Sequence, residues 1–318
     1  MDPKRYESLD QFRGWSVASM LLVSFLGYFR VMPEMFRHHL TGFSFADAVA
    51  PFFIFIVGAG FRLSFLRSAE INGVWDAKKK AFVRFLLLTV IGIFFYGPDF
   101  RINIWDALVD IGLAGILMIP FINSSAFMRF GMATLYLLVF QCVSDWTPYG
   151  AWLFNRGSID GGPLGPLSWV FPLAWGTLVA DWYWKNLRTS QFIRNALGYG
   201  TFLTILGYAL SSFWPFSQRA MTCSYSICAS GASILVLLAF YIFADVWRRP
   251  LPHLSLLGRH ALVIYLVQNV LISSWRDARG LFNKDTGMAV ALLGFMAIYY
   301  GCYSIARYLD KNRYFIKF

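Results

Sequence analysis

Ten apolar runs, each close to the length a helix needs to cross a bilayer, leave this chain few ways to fold. They lie near 14–33, 46–66, 82–98, 104–122, 129–146, 166–184, 196–214, 222–246, 258–275 and 287–306. A spanning helix takes about 20 apolar residues. The pattern therefore predicts an all-α fold: a polytopic integral membrane helical bundle of about ten transmembrane helices, with nine or eleven as the neighbouring counts. Composition points the same way. Hydrophobic residues make up 58 % and charged residues 14 % of the chain, against roughly 45–50 % and about 25 % in a soluble domain. That excludes disorder and argues against a water-soluble domain, which cannot hide so much apolar side chain behind so few charges. Trp105, Trp146, Trp182, Trp184, Trp214, Trp247 and Trp275 fall near the ends of the runs, as in an interfacial aromatic belt. No connection is long enough for a separate soluble domain, so 1–318 reads as one transmembrane domain.

The net charge of +11 calls for no nucleic acid here, because the positions of the basic residues explain it. Of 28 Lys and Arg, 20 fall in connections on one side and 8 on the other. Basic residues accumulate on the cytoplasmic side, so both termini are expected there. The segment 34–45 and the loops 147–165 and 215–221 would then face outward, and the basic loop 67–84 inward.

Cys142, Cys223, Cys228 and Cys302 lack Cys-x-x-Cys spacing, and His38, His39, His253 and His260 do not combine with them at metal-ligand spacing. No metal site is expected. No cleavable leader is expected either, because the first apolar run lacks a small-residue cleavage site.

Ionisable groups inside a span are costly and usually have a task. Asp47 opens the second run. Asp106 and Asp110 stand four apart on one helical face, where they line a cavity or meet an Arg such as Arg101. Asp181 and Asp245, near run ends, read first as interfacial anchors. His38 and His39 stand in the outward loop, within ten residues of Asp47. Histidine is the side chain best suited to take a proton near neutral pH, and a carboxylate beside it fixes its tautomer.

Residues 8–14 read SLDQFRG, and residues 42–58 read GFSFADAVAPFFIFIVG. This pair of motifs resembles the heparan-α-glucosaminide N-acetyltransferase family and its bacterial relatives among the transmembrane acyltransferases. The matching positions are Gly42, Ala46, Asp47, Val49, Pro51, Phe53, Phe55 and Gly58. Asp160 with the glycines after it is similar to the family's DPEGL segment. Pro215 to Gly231 is similar to its PxxKxLWTxSYxLxxxG stretch, and Gly258-Arg259-His260-Ala261 with Tyr265 to its GxNA and following Tyr. The chain departs from the family at Ser24 (family Asn), Arg37 (family His, with His38 one residue on), Val109-Asp110 (Gln-Arg), Gly162 (Glu) and His260 (Asn).

The resemblance implies acyl transfer in the plasma (bacterial inner) membrane. An acetyl group would pass from cytosolic acetyl-CoA, or another acyl-CoA, to an amine or hydroxyl of an extracytoplasmic sugar or glycan. His38 would be the base, with His39 in reserve and Asp47 orienting it. The Ser24 hydroxyl or Arg37 would stabilise the oxyanion. Arg62, Arg67, Lys78, Lys79, Lys80, Arg248 and Arg249 would hold the CoA phosphates. Asp10, Arg13, Gly14, Pro51 and Asp160 are expected to be structural. Two other readings stay open: a non-catalytic membrane subunit that keeps the fold, whether in a homo-oligomer or with another membrane protein, and a small-molecule transporter.

Overall fold

The computed structural model describes residues 6–97, 104–156, 160–277 and 282–314. Lys4, Arg5, Arg101, Arg279 and Lys317, used in the reading above, lie outside them. Among the described residues the chain is helical, with no strand. Its α-helices in chain order are α1 (Glu7–Leu26), α2 (Phe45–Asn72), α3 (Val74–Tyr96), α4 (Ala107–Met118), α5 (Ala126–Trp146), α6 (Tyr149–Arg156), α7 (Gly165–Trp184), α8 (Thr189–Leu210), α9 (Cys223–Phe240), α10 (Pro252–Arg259), α11 (Ala261–Asp277) and α12 (Met288–Lys311). Each of the ten apolar runs carries a helix. Among the described residues four of these can cross a membrane by length and composition: α2, α5, α12, and α9 together with the π-helical stretch that extends it to Val246. The pair α10–α11, bent by 88° at His260, makes a fifth if it is one span.

Local chemistry sets the breaks. Gly73 and Gly97, at φ +84 and +89, end α2 and α3, because only glycine enters that region without strain. Ser125 caps α5, its Oγ accepting from Met128 N at 3.2 Å. Pro252 sits in the first turn of α10, where its missing N–H costs nothing.

The chain divides into two compact units. The first comprises the residues up to His38, Ser44–Phe53 and Val236 onward; the second comprises His39–Phe43 and Ile54–Leu235. Thus α2 gives its first turns to one unit and the remainder to the other.

In the first unit α1 crosses α10 at backbone contact. A Cβ on Gly14 would lie 1.9 Å from the Leu254 carbonyl oxygen, and one on Gly258 would lie 1.9 Å from that of Asp10. Both glycines belong to the recognised motifs, and both are needed because no side chain fits. Around this crossing Phe12, Trp15, Phe52 and Phe240 form one aromatic cluster, with centroids 5.4–6.0 Å apart. Asp10 and Arg13 pair at 3.5 Å. Ser8 donates to Asp245 at 2.5 Å, and Arg259 pairs with Asp310 at 2.6 Å.

The second unit repeats the device. A Cβ on Gly58 would lie 2.1 Å from the Leu173 carbonyl oxygen, and one on Gly176 would lie 1.9 Å from that of Phe55. α2 and α7 therefore meet backbone to backbone, as small residues allow in membrane bundles. Pro51 is accommodated inside α2, and Gly112 and Gly115 seat α4 against Phe85 and Thr89 of α3.

Candidate active site

The first residues of α2 build the most organised polar group in the first unit. Ser44 precedes the helix, and Asp47 stands three residues on. The Asp47 N–H points to Ser44 Oγ at 3.3 Å, and Ser44 N–H donates to Asp47 Oδ2 at 3.0 Å. This is the reciprocal arrangement of a capping box, which satisfies helix N–H groups that have no partner within the helix. Ser44 Oγ also lies 2.8 Å from Asp47 Oδ2 and 3.1 Å from the Arg37 carbonyl oxygen.

The other carboxylate oxygen of Asp47 faces histidine. His38 Nδ1 lies 3.0 Å from Asp47 Oδ1. The Asp47 side chain is 0 % exposed and the His38 side chain 55 % exposed. A buried, ionised carboxylate is acceptor-only, so Nδ1 carries the proton of the neutral ring and Nε2 is the atom able to accept another. The result is a ring held through Nδ1 by the buried carboxylate, with more than half of its surface exposed. His39 is half-buried and falls in the second unit. Arg37 ties the loop together, donating to the carbonyl oxygens of Phe29 and Met32 at 2.9 and 3.2 Å.

Ser24 is exposed and lines a small pocket with Tyr28, Phe29, Ile272 and Phe282. No hydrogen bond links it to the His38 group. The structure thus joins His38 to Asp47, brings in Arg37 through its backbone, and leaves Ser24 apart. Ser44 was absent from the sequence reading, although the Ser-x-x-Asp spacing of a capping box was there to find it.

The expected phosphate-binding cations divide by environment. Arg62 is buried: its Nε donates to Asp181 Oδ1 at 2.8 Å and an amino group donates to the Ile122 carbonyl oxygen. Arg129, fully buried in the first turn of α5, also pairs with Asp181. Arg62 is thus committed to an internal ion cluster rather than to a rim. Arg129, which the charge pattern placed in a connection, and Asp181, read as an interfacial anchor, are both part of that cluster. Lys79 and Lys80 are exposed, Arg67 and Lys78 half-exposed, and Lys78 donates to the Pro120 carbonyl oxygen at 3.1 Å. Arg248 and Arg249, in the first unit, are exposed.

Asp160 turns the chain ahead of α7 at φ +54. Its carboxylate accepts from Gln218 Nε2 at 3.0 Å, and its carbonyl accepts from Trp169 Nε1 at 3.2 Å. Tyr149 donates to the Gly161 carbonyl at 2.5 Å and accepts from Leu164 N at 2.9 Å. Burial pushes its phenol up to about 12, so this brace is insensitive to pH near neutrality. Asp106 caps α4, its Oδ1 accepting from Ala107 N at 2.6 Å. Asp110 is buried, and neither of its carboxyl oxygens has a hydrogen-bond partner among the described residues.

Among the described residues no group of three or more His, Cys, Asp or Glu is placed to hold a metal ion. No curated protein matches the sequence. The sequence profile of one protein family, heparan-alpha-glucosaminide N-acetyltransferase, catalytic, matches residues 5–219. The matched stretch contains both N-terminal motifs, the His38–Asp47 pair and Asp160, and it covers well over half of the chain. The chain is therefore a membrane protein of this transmembrane acetyltransferase family.

Proposed function

We propose that the protein transfers an acetyl group from acetyl-CoA, supplied from the cytoplasm, to an amine or hydroxyl of a sugar or glycan on the outer face of the plasma membrane. The observation that carries this reading is the hydrogen bond from His38 Nδ1 to a buried, helix-capped Asp47. A ring held that way presents Nε2 as a base toward solvent. The topology proposed with it has ten spans, both termini in the cytoplasm and the 34–45 loop outside.

In this mechanism the acceptor's nitrogen or oxygen attacks the thioester carbonyl carbon while His38 Nε2 takes its proton. The new C–N or C–O bond forms, the C–S bond breaks, and the proton passes from the imidazolium to the departing thiolate, releasing free CoA. Asp47 stabilises the imidazolium and does not itself change protonation. The Ser24 hydroxyl is too poorly connected to be assigned the oxyanion; Arg37 has the charge for it. For the CoA phosphates each unit offers its own candidates, Arg67, Lys78, Lys79 and Lys80 in the second and Arg248 and Arg249 in the first; Arg62 is excluded by its ion pair.

Sealed vesicles of known orientation test the reading. Acetyl-CoA on the basic-loop side and glucosamine on the opposite side should give N-acetylglucosamine and free CoA. Transfer only when both are on one side would overturn the two-sided mechanism. A wild type inactive with every amine and hydroxyl acceptor would favour the non-catalytic subunit.

A further inference from the structure

Within the second unit α5, α7, α8 and α9 line an open groove of about 680 Å³. Its wall is apolar along nearly its whole length, and its outer edge is formed by exposed side chains such as Phe127, Leu138 and Phe202. Along α5 it runs from Ala126 to Leu138, which is about 18 Å at ~1.5 Å per residue. One leaflet of a bilayer is about 15 Å deep, half of its ~30 Å hydrocarbon core. The groove thus has the length of a single acyl chain lying in one leaflet.

One end of it is charged. Lys185 and Asp181 line the groove there. Asp181 already holds two guanidinium groups, Arg62 and Arg129, so with Lys185 this end has three cations to one carboxylate and carries an excess of positive charge. Arg129 is fully buried, and its Nε has no hydrogen-bond partner among the described residues. Tyr199 stacks on Trp182 at 6.0 Å and meets Trp175 at a tilt at 5.5 Å, and of these groove-lining rings Trp182, three residues before Lys185, is the one next to the charged end.

We infer that this groove is a binding site for one anionic phospholipid of the surrounding bilayer, with a single acyl chain along α5 and α8 and the phosphate at the Lys185 end. Charge complementarity selects the headgroup, and length and apolarity select the chain. The inference rests on the membrane location and not on the proposed chemistry at His38.

Native mass spectrometry of the purified protein, offered equal amounts of phosphatidylglycerol and phosphatidylcholine with the same chains, tests it. Wild type should retain one lipid, favouring phosphatidylglycerol about fivefold, the preference that one lysine near an anionic head supplies. Lys185→Gln should bring that preference close to parity. Leu206→Trp, on the half-exposed groove wall, should abolish retention; Leu138→Trp serves the same purpose if the first variant melts early. Excess inorganic phosphate should leave the lipid in place. Wild type retaining no more lipid than the filled variants, or retaining both lipids equally, would overturn the assignment. So would preferential retention of palmitoyl-CoA, or displacement by phosphate alone.

Discussion

Asp47 and Asp181 are two buried carboxylates placed under opposite regimes. Asp47 accepts from neutral donors, the Ser44 N–H and hydroxyl, and turns its other oxygen to the exposed His38. Asp181 is clasped by two guanidinium groups with almost no exposure. The first keeps its charge for the histidine, so it can stabilise an imidazolium that forms and disappears. The second has its charge consumed by permanent cations and can only hold helices together. Burial of a carboxylate inside a membrane bundle is therefore no sign of catalysis by itself; the identity of its donors decides.

Substitutions can break each regime separately. Asp181→Ala would leave Arg62 and Arg129 buried without a counter-ion and should cost about 3–5 kcal/mol, read as a large fall in melting temperature in detergent. Gly176→Ala should weaken the same region by about 1–3 kcal/mol through overpacking, because its Cβ would meet the Phe55 carbonyl oxygen at the α2–α7 crossing. Asp47→Asn should leave melting close to wild type, since an amide oxygen still caps the helix, while lowering kcat more than it changes KM. Ser44→Ala should do the reverse: about 1 kcal/mol of lost stability, the usual worth of a cap, with the His38 hydrogen bond intact and most of kcat retained. If Asp47→Asn destabilised the protein as much as Asp181→Ala, the two carboxylates would be alike and the contrast would fail.

The parts of the fold written in hydropathy were legible, and those written in contacts were not. Each apolar run carries a helix, the form that satisfies its backbone where no water can reach, and among the described residues four of them, or five with the bent α10–α11 pair, are long and apolar enough to cross a membrane. α1, however, begins at Glu7, ahead of its apolar run, because Ser8, Asp10 and Gln11 are buried inside the unit; averaged hydropathy reads such residues as an edge. α10 is short, and the 88° bend at His260 has no signal in a single sequence. Arg129 looked like a connection residue because a lone arginine usually marks a helix end; its carboxylate partner on α7 is what permits burial. At the candidate site His38 and Asp47 were readable from residue type and nearness in sequence. Ser24 was nominated as the residue standing where the resembling family has Asn, and the structure places it in a small pocket with Tyr28, Phe29, Ile272 and Phe282. The close crossing of Gly14 and Gly258 joins residues far apart in sequence, so the glycines could be seen as motif members but not as partners.

The central claim is that His38, oriented by Asp47, is the base for acetyl transfer. The most direct measurement is the rate of acetyl transfer to an amino sugar by wild type, His38→Ala and His39→Ala, with acetyl-CoA binding and size-exclusion behaviour checked for each. A positioned general base contributes roughly 10²–10⁴-fold. His38→Ala, which removes the ring hydrogen-bonded to the buried Asp47, should lose a factor in that range with acetyl-CoA binding retained, and His39→Ala should lose much less. An active wild type matched by His38→Ala, or a larger loss at His39 than at His38, would contradict the account and move the search for the base away from this loop.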